Sequence, residues 1–164
     1  MSVPVLSVDV ERALTLDREP AGPPPPRLVH EATTGRLLAA FFSVHRELGY
    51  GFADAVYLRA LQVELAFRGI DVQGDVPMGV FYKGRKVGTY AADLLVEGKV
   101  VASVRAGLEL TDADRTQLLN CMRCSSADVG MLLHFGPRPE FRRFLGRALV
   151  ESQREGRDPS PRSP

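Results

Sequence analysis

The spacing of apolar residues changes period along the chain, and the changes mark out the elements. Leu37, Leu38, Phe41, Phe42, Val44 and Leu48 recur at helical spacing behind Thr33 or Thr34, either of which can cap the helix, and Gly49 is a stop signal. A second helix is predicted from about Ala53 to Arg68, with Val56, Ala60, Val63 and Phe67 as its apolar stripe and Gly69 ending it. Short β-prone runs follow at Ile70 to Gln73 and Val80 to Tyr82, broken by Pro77. Lys83-Gly84-Arg85 reads as a turn into a longer strand, Val87 to Val96, and Glu97-Gly98 turns the chain into Val100 to Ala106. Thr111 opens a further helix carrying Leu118, Leu119 and Met122 on its apolar side. Val129 to Phe135 reads as a buried strand, and Phe141 to Val150 as a closing helix with Phe141, Leu145 and Leu149 on one stripe. Strands set among helices predict an α/β sandwich rather than an all-α bundle.

Composition narrows the organisation. The chain has 164 residues, 45% of them apolar, enough for one domain with a real core. Residues 1–28 carry Pro20 and the run Pro23 to Pro26, which favours an extended polyproline conformation, and read as a disordered Pro-rich leader. That leader is either a plain solvated tail or a docking peptide, with Val3 to Leu16 folding on a partner. The folded domain is expected over 29–152, with a polar, disordered tail over 153–164.

Charge and cysteine content exclude several classes. Lys plus Arg number 21 against 20 Asp plus Glu, so any nucleic-acid site has to be a local patch. No apolar run approaches the ~20 residues of a membrane helix. The N-terminus has no basic start and carries acids early, unlike a secretory signal. Two cysteines cannot form a disulfide framework, and a cytoplasmic setting is the expectation.

Gly51-Phe52-Ala53-Asp54-Ala55-Val56-Tyr57 fits Gly-x-x-Glu-x-x-Tyr with Asp for Glu. Ala60-Leu61, Glu64-Leu65, Arg68-Gly69-Ile70 and Val80-Phe81-Tyr82-Lys83-Gly84 follow it in order. Beyond them come Ala92-Asp93-Leu94-Leu95-Val96, Gln117-Leu118-Leu119-Asn120, Val129-Gly130-Met131-Leu132-Leu133 and Phe135-Gly136. In this order and spacing the pieces resemble the GxxExxY family of small PD-(D/E)XK nuclease-like proteins, over about Thr34 to Leu145. The resemblance implies a mixed β-sheet flanked by helices, a restriction-endonuclease-like fold, with one metal site on the sheet. It implies Asp93 as the site's Asp, Ser103 and Arg105 at the positions of its Glu and Lys, Asp54 as the helix Glu and Gln117 as the helix Gln.

Metal-dependent phosphodiester hydrolysis needs acids that hold a hard cation, which orients water and lowers its pKa. A Lys beside the attacking water can position it or offset developing charge. In Val101-Ala102-Ser103-Val104-Arg105, alternation puts Val101, Ser103 and Arg105 on one face. A three-residue loop, Val96-Glu97-Gly98, would set Asp93 opposite Val101 with Ser103 its diagonal neighbour. A two-residue loop would turn Asp93 to the other face; the resemblance favours the first. Ser103 is neutral and Arg105 is permanently protonated, so Arg105 is expected to pair with Asp93 in the space a metal would use. The expected function is therefore that of a pseudoenzyme, a catalytically degenerate nuclease-like module that binds a protein or nucleic acid. No membrane, cofactor or small-molecule partner is expected. The alternative is a weak DNA or RNA endonuclease, with Mg or Mn held by Asp93 and Asp54; Glu64, Glu97 and Glu109 are further acids within the chain's reach.

Other features carry less. Cys121-x-x-Cys124 lacks a second pair for zinc and lies near a helix end, which suits a structural role. His30, His45 and His134 are scattered, and no spaced Ser, His and Asp set suggests a triad. Lys83, Arg85 and Lys86 crowd one turn, and Arg138, Arg142, Arg143 and Arg147 form a second basic cluster; each is either a solvated face or a set of phosphate contacts. Tyr82 and Tyr90 can stack on bases but are expected to pack in the sheet.

Overall fold

The computed structural model describes residues 28–146. Residues 1–27 of the expected leader, residues 147–152 of the expected domain (Arg147 among them) and the 153–164 tail lie outside the described residues. Helix α1 (Glu31–Leu48) and helix α2 (Asp54–Phe67) come first. Strands β1 (Val72–Tyr82), β2 (Arg85–Val96) and β3 (Val100–Ala106) follow, then α3 (Asp112–Cys124), β4 (Val129–Phe135) and β5 (Pro139–Leu145). The five strands form one mixed sheet in chain order, antiparallel except for the parallel pair β3–β4. A parallel pair needs a crossover, and α3 supplies it.

Helices α1 and α2 pack on one face of the sheet and α3 on the other, which gives two apolar clusters. The first gathers Leu37, Phe41, Tyr57, Leu61 and Leu65 against Val104, Leu133 and Phe135. The second gathers Leu118, Cys121 and Met122 against Val101 and Leu132. Gly130 makes the second contact close, because a Cβ there would lie 2.3 Å from the Met122 sulfur. Strand β4 is buried at every position, as its unbroken apolar run predicts for a central parallel strand.

Several elements differ from the sequence-based expectation. Phe141 to Leu145, the first half of the expected closing helix, belong to a strand, β5, and the rest of that segment, 147–150, lies outside the described residues. Phe141 and Leu145, four residues apart, share a face under either period, so the pattern there was ambiguous. Phe144 resolves it: Phe141 meets Phe42 of α1, whereas Phe144 packs in the α3 cluster. On α2 the buried residues are Tyr57, Leu61 and Leu65, while Val56, Val63 and Phe67 of the expected stripe are exposed. Pro77 does not break β1, because β1 is an edge strand and a missing N–H is tolerated there. Helix α1 starts earlier than Thr33, and the Thr34 hydroxyl donates back to the His30 carbonyl at 3.1 Å. Tyr82, expected in the sheet, is 64% exposed.

Candidate functional site

The Gly51 to Tyr57 motif is structural in its detail. Tyr57 lies flat against Phe135, centroids 4.3 Å apart, while Phe41 meets the same ring edge-on. Its hydroxyl donates to the Gly49 carbonyl at 2.5 Å and accepts the Phe52 N–H at 3.3 Å. The aromatic body fills the core while the hydroxyl pins the loop that starts α2. Asp54, in the first turn of α2, accepts the Ala106 N–H at 2.7 Å and so ties the helix to the end of β3.

The β2–β3 hairpin sets the remaining positions. Its loop has three residues, as expected, but they are Glu97-Gly98-Lys99, with Val96 paired to Val100. Both Glu97 (φ 51°) and Gly98 (φ 66°) are left-handed. The loop is held by the Glu97 carboxylate, which accepts from Thr33 at 2.5 Å and pairs with Arg36. The Thr33 hydrogen bond, with help from Arg36 and Lys99 and against partial desolvation, lowers the Glu97 pKa. Val101 therefore pairs with Leu95, not with Asp93, and the ladder stops at Leu94↔Ala102. The pleat breaks there: Ala92 packs in the α3 cluster and Leu94 in the α1–α2 cluster. Across from this break on β1, Asp75 is left-handed at φ 50°.

The break frees the Asp93 carboxylate to turn onto β3. Its Oδ2 accepts the Val104 N–H at 2.8 Å and Arg105 Nη1 at 2.9 Å. Arg105 also donates from Nε to Asp114 Oδ1 at 3.0 Å and from Nη1 to its neighbour's carbonyl. The guanidinium thus sits between two carboxylates, and all three side chains are mostly buried. Asp114 was not anticipated from the sequence. Its signal was the Thr111-x-x-Asp114 spacing of a capping box, and the box is present in full. Burial pushes the Asp114 pKa up, but hydrogen bonds from the Thr111 N–H and hydroxyl and from Arg105 outweigh it, so the net shift is downward.

Ser103 is buried on β3. Gln117, one turn along α3 from Asp114, is exposed and makes no hydrogen bond among the described residues. Glu64 pairs with Arg68 and Glu109 is exposed. Among the described residues no three His, Cys, Asp or Glu side chains gather closely enough to hold a metal ion. The histidines take structural partners: His30 meets Asp128 at 2.8 Å, His45 meets the Gly136 carbonyl at 2.8 Å, and His134 meets the Gly107 carbonyl at 2.9 Å. Cys121 is buried and Cys124 half-buried, both unbridged. Burial first, and then the Asp93 charge, raises the Cys121 thiol pKa. No described helix is long and apolar enough to cross a membrane.

Residues 31–144 match the family model of the PD-(D/E)XK nuclease superfamily. No curated protein matches. A solved structure described as "Crystal structure of SSO0001" is similar over 79% of this chain and 72% of that one, at 17% identity and a TM-score of 0.43, too distant to bear on function.

Proposed function

The chain belongs to the PD-(D/E)XK nuclease superfamily, and from that premise we propose that it is a catalytically degenerate, GxxExxY-like member that binds a partner, nucleic acid foremost, without cutting it. The observation that carries this reading is the Arg105 guanidinium seated between Asp93 and Asp114.

A divalent ion needs several oxygen ligands and net negative charge around it. Here Asp93, the acid central to the family's site, is engaged by a permanent cation and by a backbone N–H. Its neighbour on β3 is the neutral Ser103. Asp54 spends one oxygen on the Ala106 N–H. Displacing Arg105 would leave a mostly buried guanidinium to find new partners, which is costly. The donor set therefore does not suit a metal, and a guanidinium stays protonated at neutral pH and cannot serve as a general base.

The test is metal titration by calorimetry with Mg²⁺ and Mn²⁺, beside cleavage of plasmid and single-stranded DNA. No metal heat and no cutting are expected for the wild type. The double variant Ser103→Glu with Arg105→Lys should gain measurable metal binding. Metal-dependent cutting by the wild type, abolished in Asp93→Ala, would replace this reading with that of a weak endonuclease using Asp93 and Asp54.

A further inference from the structure

We propose that the β1–β2 ribbon and the groove between it and the C-terminal half of α3 bind single-stranded nucleic acid. This surface deepens the reading of a non-cutting binder and rests on it.

Strand β3 pairs with β2 only over Leu94, Leu95 and Val96, so the part of the hairpin beyond Ala92 runs on as a two-stranded ribbon. The segment 76–92 contains Lys83, Arg85 and Lys86 and no acid. None of these cations has an ion-pair partner among the described residues. Lys83 and Gly84 are both left-handed, at φ 49° and 76°, which makes the tight hairpin turn that places Tyr82 across from Arg85. The register shifts after Val80, where Val87 bulges out and adds twist.

The ribbon also exposes what a soluble strand ordinarily hides. Phe81 is 66% exposed, Tyr82 64% and Val87 62%. Charges on an edge strand protect it from pairing with other chains, and that accounts for the cations. It does not account for two exposed aromatic rings beside them. The Phe81 ring rests along the bare backbone of Gly79, where a Cβ would lie 2.8 Å from it. Below Phe81 a groove of about 530 Å³ is lined by Tyr90, Asn120, Arg123 and Cys124. Asn120 donates to the Tyr90 hydroxyl at 3.2 Å, which holds both polar groups at the groove wall.

Aromatic faces, an amide and four cations with no acid among them are the chemistry that receives unpaired bases and their phosphates. Duplex stacking withholds base faces from such rings, whereas a single strand offers them. Four phosphate contacts predict a log K against log salt slope of about −3 on single strands.

Anisotropy with a labelled mixed-sequence single-stranded oligonucleotide, in EDTA and over a salt series, tests this. Its duplex form and phosphatidylserine vesicles serve as competitors. The variants Phe81→Ala with Tyr82→Ala, and Lys83→Ala with Arg85→Ala and Lys86→Ala, are checked for fold by circular dichroism. The aromatic pair should cost about tenfold or more in affinity, and the cation triple should flatten the salt slope by about 2. Wild-type binding that neither variant weakens would overturn the ribbon as the site while leaving the non-cutting reading intact. No binding by the wild type, equal preference for duplex, or capture by vesicles instead would also overturn it. Cutting of the same oligonucleotide in Mg²⁺, lost in Asp93→Ala, would overturn the parent reading alone.

Discussion

Arginines occupy two opposite situations in this molecule. Arg105 is mostly buried, held by Asp93 on one side and Asp114 on the other. Arg85, with Lys83 and Lys86, stands at the tip of a ribbon with no carboxylate in reach among the described residues. The first cation is already satisfied and holds elements together: β2 through Asp93, β3 through its own backbone, and α3 through Asp114. The second group pairs with no carboxylate among the described residues, Lys83 lying only over the Tyr82 ring at 5.5 Å, and leaves its charge for another molecule. A cation is informative about function when its partner is missing from the chain, and informative about architecture when it is not.

The comparison breaks most visibly at Arg105. Arg105→Met leaves two adjacent carboxylates, each mostly buried, without their counter-charge. The expected loss is about 3 kcal/mol, read as a lowered urea midpoint at unchanged slope. A loss under about 1 kcal/mol would mean that water screens the triad and that Arg105 is free to leave. Metal binding by Arg105→Met would then be the sharper follow-up, because Asp93 and Asp114 would stand open together.

A smaller effect is expected at Asp114, where two roles meet. Asp114→Asn weakens the contact with Arg105 and half of the capping box, for about 1–2 kcal/mol at neutral pH. The pH dependence gives the sign. Asp114 has its pKa lowered on folding, so the folded state favours the ionised carboxyl. That contribution is complete above the unfolded value, about 3.9, and is lost as pH falls through the depressed folded value. Wild-type stability should therefore fall on acidification through this window, and the fall should be shallower in Asp114→Asn. Parallel profiles for the two proteins would remove Asp114 from the account.

Much of this was legible in the sequence, and the misses have physical causes. The α/β class, the buried β4 and the start of α3 at Thr111 follow from apolar runs and a cap, and the mixed sheet from the family resemblance. The β5 strand was hidden because residues four apart share a face in both helices and strands. The α2 face was misread because Val56, Val63 and Phe67 are as apolar as the buried Leu61 and Leu65, so hydrophobicity alone did not choose between stripes. The pairing of Arg105 with Asp93 was anticipated from charge and from the site positions that the family resemblance implies, although Asp93 reaches β3 through a break in the pleat rather than from the expected register. Asp114 was missed because it comes from a different layer, and only packing α3 onto the sheet brings it near.

The smallest expected change tests the other half of the comparison. Replacing Lys83, Arg85 and Lys86 together by Ala removes three charges that touch no described carboxylate. Each lies on the surface, where single substitutions usually shift stability by less than about 0.5 kcal/mol. Losing three like charges from one turn also relieves their mutual repulsion, which offsets any lost packing of the side-chain stems. The urea midpoint of the triple variant should therefore match the wild type within about 1 kcal/mol, even as its nucleic-acid affinity falls. A larger drop in stability would mean that the ribbon's cations hold the hairpin together, and the contrast with Arg105 would collapse into two versions of the same structural role.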